Sequence, residues 1–175
     1  MDVLQVPFTS AAFLLAIAGV QKLRDPHSLS RALRLAKLPN DTMLVRTLAS
    51  IEIATAIGAV VIHHRLIPLV VAALYLSFAV FVTWALARGL PIESCGCFGR
   101  ADARPSAAHV ALDAFAATIA VLVAFDDVEP VRALIAHHPA EGFAVVAVSA
   151  VLASLVTAWL RGTLTRGFKR AATIS

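Results

Sequence analysis

The sequence predicts an all-α integral membrane protein, and three observations carry that expectation. Hydrophobic residues make up 59% of the 175 and charged residues 15%, where soluble domains run near about 45–50% and about 25%. Five apolar runs stand out, at residues 6–20, 44–62, 67–87, 107–125 and 142–160. Four of them approach or exceed the ~18–20 residues that cross a ~30 Å hydrocarbon core as helix. The runs are also continuous and rich in Ala and Leu rather than alternating, which argues against barrel strands and leaves a helical bundle to satisfy the backbone in lipid. Little sequence remains for a water-soluble unit, so residues 1–175 are expected to form one membrane domain.

The first span is short and is extended to residues 6–23 by recruiting Gln21, Lys22 and Leu23, with Lys22 expected to snorkel towards the headgroups. A cleavable leader is not expected, because the N-terminal region carries Asp2 and no Lys or Arg before the apolar run. Next, Arg31, Arg34 and Lys37 fall on one face of residues 28–38, and Leu29, Leu33 and Ala36 on another. That pattern reads either as an amphipathic helix lying on the membrane, basic side towards anionic headgroups, or as an ordinary solvated connection. The remaining spans are expected at residues 44–62, 67–88, 107–125 and 142–160. Pro68 suits the first turn of the third. Gly89 and Pro91 end it. Pro105-Ser106 offers a cap for the fourth, and Pro139 and Glu141 precede the fifth.

The basic balance, +4 at pH 7, is not a nucleic-acid footprint, because no basic stripe is interleaved with aromatic residues. Thirteen of the fifteen Lys and Arg fall on one side of the alternating spans and only Arg65 and Arg132 on the other. The positive-inside rule then expects a multi-pass protein of the cell membrane with its N-terminus outside and its C-terminus and the loop near residue 95 in the cytoplasm.

Alternation also brings the end of the first span, the start of the second, the end of the third and the start of the fourth to one membrane face. There lie Cys95 and Cys97, the chain's two cysteines, in a polar connection. Cys-x-Cys can close into a strained, labile disulfide; Arg100 and the N-terminus of the fourth helix can favour its thiolates. The redox reading leads; the alternatives are that the pair holds a thiophilic metal, completed by His109 or a partner's ligand, or is inert. Glu52, about a turn and a half into the second span, must face protein or a partner rather than lipid, since a carboxylate there costs about 2.5–3.5 kcal/mol. It reads as a proton acceptor, as a hydrogen-bond partner for a headgroup or quinone carbonyl, or as a structural residue paired with Lys22 or Arg46. His109 and Asp113, four residues apart on one stripe, form either a proton relay or an anchor for the helix start. Lys22 and Arg100 are the cations available to a bound quinone. On the opposite face His63-His64 and His137-His138 read as a zinc or copper site or as solvated loop residues. No Walker loop, dinucleotide fingerprint or nucleophile elbow occurs.

Three pieces of this sequence resemble the MauE/DoxX group of small redox-associated membrane proteins. They are Ala18-Gly19-Val20-Gln21-Lys22-Leu23-Arg24-Asp25-Pro26 at the end of the first span, Glu52 in the second, and Cys95-Gly96-Cys97-Phe98-Gly99 after the third. The cysteine motif points to the MauE branch, and the resemblance covers about residues 8 to 125. It implies a DoxX-like antiparallel four-helix transmembrane bundle, here with a fifth C-terminal transmembrane helix. It also implies a part in thiol–disulfide traffic beside a thioredoxin-like partner, as MauE is associated with maturation of the disulfide-rich methylamine dehydrogenase. Non-enzymatic work as a membrane assembly factor or thiophilic-metal carrier is the other expectation. A donor of disulfides to exported proteins should carry its cysteines outside, whereas the charge count puts them inside.

Overall fold

The computed structural model describes residues 3–90, 106–126 and 128–172, with side chains described as far as Leu160. Seven helices follow one another among them: α1 (Gln5–Arg24), α2 (Pro26–Leu35), α3 (Thr42–Val61), α4 (Leu66–Ala87), α5 (Ala107–Asp126), α6 (Val131–His137) and α7 (Pro139–Ala172). Five are long and apolar enough to cross a membrane: α1, α3, α4, α5 and α7 over Pro139–Leu160. Their outer surfaces carry exposed Ile57, Leu76, Val80, Phe115 and Leu155. A soluble monomer rarely shows so continuous an apolar coat; lipid accepts it.

Helices α1, α3, α4 and α5 close a ring in which each packs on the next, and α7 lies outside it against α1. Neighbours within the ring run antiparallel. Gly19 of α1 stands level with Ala49, Glu52 and Ile53 of α3, whereas Gln5 and Phe8 at the other end of α1 share a cleft with Ala59. Likewise Val45 of α3 clusters with Ala85 of α4, and Gly58 approaches Ile67. Interiors without a hydrophobic driving force rely on small side chains for close approach. Accordingly the buried stripes hold Ala11, Ala12 and Ala18 in α1, Ala49, Ala56 and Ala59 in α3, Ala116, Ala117, Ala120 and Ala124 in α5, and Ser149, Ala153 and Thr157 in α7. Hydroxyls within the spans are satisfied locally: Thr9, Ser10, Thr118, Ser154 and Thr157 each donate to the carbonyl four residues earlier. Ser149 instead donates across to the Val6 carbonyl, 3.2 Å away, and ties α7 to α1.

Two helix ends share one geometry and set the positions of the loops. Gly89 has a φ of 57°; its N–H donates to Leu86 and that of Leu90 to Ala85, closing a Schellman motif. The surface helix expected over residues 28–38 begins earlier and ends earlier. Pro26 occupies its first turn, and Ser28 donates to the Asp25 carboxylate at 2.8 Å. It stops at Leu35 because Lys37 turns left-handed, φ 57°, and Leu38 N–H returns to the Leu33 carbonyl. Helix α6, a single element of seven residues, was not anticipated; it packs on α7 and α3.

The two left-handed positions give a paired prediction. Lys37→Gly should raise stability by about 0.5–1 kcal/mol and Gly89→Ala should lower it by a similar amount, because a Cβ is strained there. Thermal unfolding in detergent, read by circular dichroism, checks both signs.

Candidate functional site

Helix α1 places Lys22 two residues before its end, and snorkelling to the headgroups would have been open to it. The structure overturns that expectation. Lys22 is 1% exposed and turns inward, where its ammonium lies 2.9 Å from both carboxylate oxygens of Glu52, itself fully buried. Glu52 is also deeper than the sequence suggested: α3 starts at Thr42, so about 15 Å of helix precede it at 1.5 Å per residue. A headgroup contact would need Lys22 to abandon a carboxylate inside hydrocarbon, which is the costlier alternative. Gly19 makes the pairing possible. A Cβ at that position would stand 2.8 Å from the Ala49 carbonyl oxygen and 2.8 Å from Ile53 Cγ1, so only glycine lets the two backbones come this close.

Helix α4 completes the surroundings. The Lys22 ammonium stands 4.9 Å from the centroid of the Phe78 ring, a cation–π contact strengthened by desolvation. Phe78 meets Tyr75 edge to face, with centroids 6.2 Å apart. The Tyr75 hydroxyl donates to the Ala11 carbonyl at 2.7 Å and lies within electrostatic range of both Asp113 and Glu52. Tyr75 was missed in the sequence, although a signal existed. It is the chain's one tyrosine, and a hydroxyl in mid-span needs a partner inside the protein.

On α5, His109 and Asp113 are both buried, at 3% and 6% exposure. Ser106 lies one residue ahead of the helix, and its carbonyl accepts from the His109 N–H at 3.0 Å. Its hydroxyl lies 2.8 Å from His109 Nδ1, which fixes the ring against the helix start. Lys22, Glu52, His109 and Asp113, from three helices, are thus all interior. Cys95, Cys97 and Arg100 lie outside the described residues. Their connection leaves after Leu90 and re-enters at Ser106, at the face where α1 ends and α3 and α5 begin.

The opposite end of the bundle holds a cleft lined by Gln5, Phe8, His63, His64, Arg65 and Glu129, among others. Gln5 donates to the Glu129 carbonyl at 3.0 Å and closes one side. His64 Nδ1 accepts from the Leu66 N–H at 3.2 Å, so this histidine serves the turn into α4. Among the described residues no three His, Cys, Asp or Glu side chains stand close enough to hold a metal ion. The zinc or copper reading of His63, His64, His137 and His138 gains no support from them.

An antiparallel ring of apolar helices with an ion pair sealed in its interior defines a multi-pass α-helical membrane protein. Residues 3–126 match the family model described as methylamine utilisation protein MauE, and the chain belongs to that family. The match takes in α1 to α5 and stops before α6 and α7. No curated protein and no solved structure matches the chain.

The ion pair yields a double-mutant cycle. Lys22→Met and Glu52→Leu should each destabilise by about 3–5 kcal/mol, since either leaves a buried charge alone. The double variant should recover much of that loss. Unfolding midpoints of the four proteins in one detergent decide; additive losses would mean that the two groups act independently.

Proposed function

We propose that this protein is a membrane thiol–disulfide redox protein in which Cys95 and Cys97 pass between dithiol and disulfide. Its partner is of thioredoxin type. One thiolate attacks a sulfur of the partner's disulfide, and the second displaces the partner from the mixed disulfide. The partner leaves with two thiols and two electrons, and Cys95 and Cys97 keep the new S–S bond. The two protons released by the pair end on the partner's thiolates. His109 and Asp113 hold them in transit, and Glu52 acts through its pairing with Lys22. A quinone in place of a partner disulfide would supply a sink for the same two electrons and two protons; of the two cations expected to serve it, Lys22 is committed to Glu52, which leaves Arg100.

What supports this reading is the distribution of polarity. The interior charges and the buried imidazole belong to the end of the bundle where the cysteine connection leaves and re-enters, whereas the other buried polar side chains are uncharged: Gln5 at the far end, Tyr75, and the hydroxyls of Thr9, Ser10, Thr55, Ser149 and Thr157. By the Lys and Arg count this end faces the cytoplasm of the cell membrane, with the N-terminus outside. A second reading, a non-enzymatic assembly factor or thiophilic-metal carrier, draws on the Lys22–Glu52 pair being closed on itself, as a purely structural brace would be.

Trapping with a mass-tagged maleimide in cells should show Cys95 and Cys97 in two redox states. Cys97→Ser should accumulate a mixed disulfide through Cys95, and Asp113→Asn should slow reoxidation by roughly 10²-fold while both thiols remain titratable. Thiols that stay reduced under every oxidant would end the redox reading. Stoichiometric copper or zinc on the purified protein, lost in Cys95→Ser, would establish the carrier in its place.

A further inference from the structure

We propose that α2 and the helix ends beside it form a binding surface for anionic phospholipid headgroups. The apolar stripe of α2 is already used: Leu29, Ala32 and Ala36 are buried, the first two in a cluster with Val45 and Ala85 that Leu48, Phe81 and Leu90 flank. Those partners fix the depth of α2. Val45 and Leu48 lie three and six residues inside α3, and Ala85 and Phe81 two and six residues inside α4. That is about 3–9 Å below the helix ends at 1.5 Å per residue, the level of the headgroup and acyl boundary. The helix is therefore strapped along the flank of the bundle, and its remaining face looks out at that level.

That face is basic. Arg31, Arg34 and Lys37 are exposed on and just after α2, and Arg24, Arg46 and Arg88 are exposed on the adjoining ends of α1, α3 and α4. Arg88 rests over the Trp84 ring at 5.6 Å. Two acids share the stretch, and each has a local partner: Asp25 accepts from the Ser28 hydroxyl, and Asp41 caps α3 by accepting from the Met43 N–H at 3.0 Å. Leu35, Leu38, Met43 and Leu44 are exposed in the same stretch. An acidic soluble partner would leave those side chains in water. A phospholipid meets both, phosphate on the cations and acyl chain on the leucines, and each cation near an anionic surface contributes about 1 kcal/mol.

The surface is independent of the cysteine chemistry, so its failure leaves the redox reading untouched. The test uses full-length protein in bilayer discs of phosphatidylcholine with 20 mol% phosphatidylglycerol, as probe composition, followed by native mass spectrometry of retained lipid. Wild type should retain phosphatidylglycerol well above its bulk fraction, and Arg31→Gln/Arg34→Gln/Lys37→Gln should lose at least tenfold of that preference, at about fivefold per cation. Arg31→Lys/Arg34→Lys, which keeps the charge, should retain it and serves as the folded control. Wild type without preference, a triple variant that keeps it, or wild type that binds immobilised polyglutamate but not phosphatidylglycerol would overturn the proposal.

Discussion

A charge that enters hydrocarbon has to bring its counter-charge with it. In this protein that constraint is met by Lys22 and Glu52, and much of the bundle's arrangement follows from it. Both carboxylate oxygens share one ammonium at 2.9 Å, which fixes the register of α1 against α3. Gly19 removes the side chain that would hold those helices apart. Phe78 then covers the ammonium from α4, and Tyr75 extends the contact back to the α1 backbone at Ala11. The pair is a poor source of net stability compared with apolar residues of the same volume. Its effect is specificity: slipping either helix by one turn would strand two charges in lipid.

The spans were legible because hydropathy alone decides which segments can cross a bilayer. Glu52 was legible for the same reason, as an expensive residue that needed a partner. The partner was less so. Lys22 sits so near a helix end that sequence spacing allows it to reach either water or the interior, and only the close approach at Gly19 chooses. Tyr75 was overlooked because a lone hydroxyl in an apolar run changes hydropathy little. The early stop of α2 was hidden because Lys37 is not the residue that a left-handed position favours. Helix α6 was hidden because seven residues carry too few turns for a period to show.

Membership of the MauE family covers the ring of four helices and leaves α7 as an addition on the α1 side. Ser149, Ala153 and Thr157 let α7 sit close to α1 without altering the interior of the ring. The polar interior is thus a property of the shared part of the chain. Its buried groups belong to the end that the cysteine connection serves, and the cleft with His63, His64 and Arg65 lies at the other. The two ends of one bundle are chemically distinct, which is the physical basis for placing the proposed redox chemistry at one of them.

The central claim is that Lys22 crosses to Glu52 inside the membrane instead of reaching for the headgroups. Solid-state NMR on protein in bilayers, with ¹⁵N in the Lys22 side chain and ¹³C in the Glu52 carboxyl, measures that contact directly through their dipolar coupling. A strong coupling, as expected for nitrogen and oxygen 2.9 Å apart, is the predicted result. No measurable coupling, with the Lys22 nitrogen instead in contact with lipid phosphorus, would contradict the account.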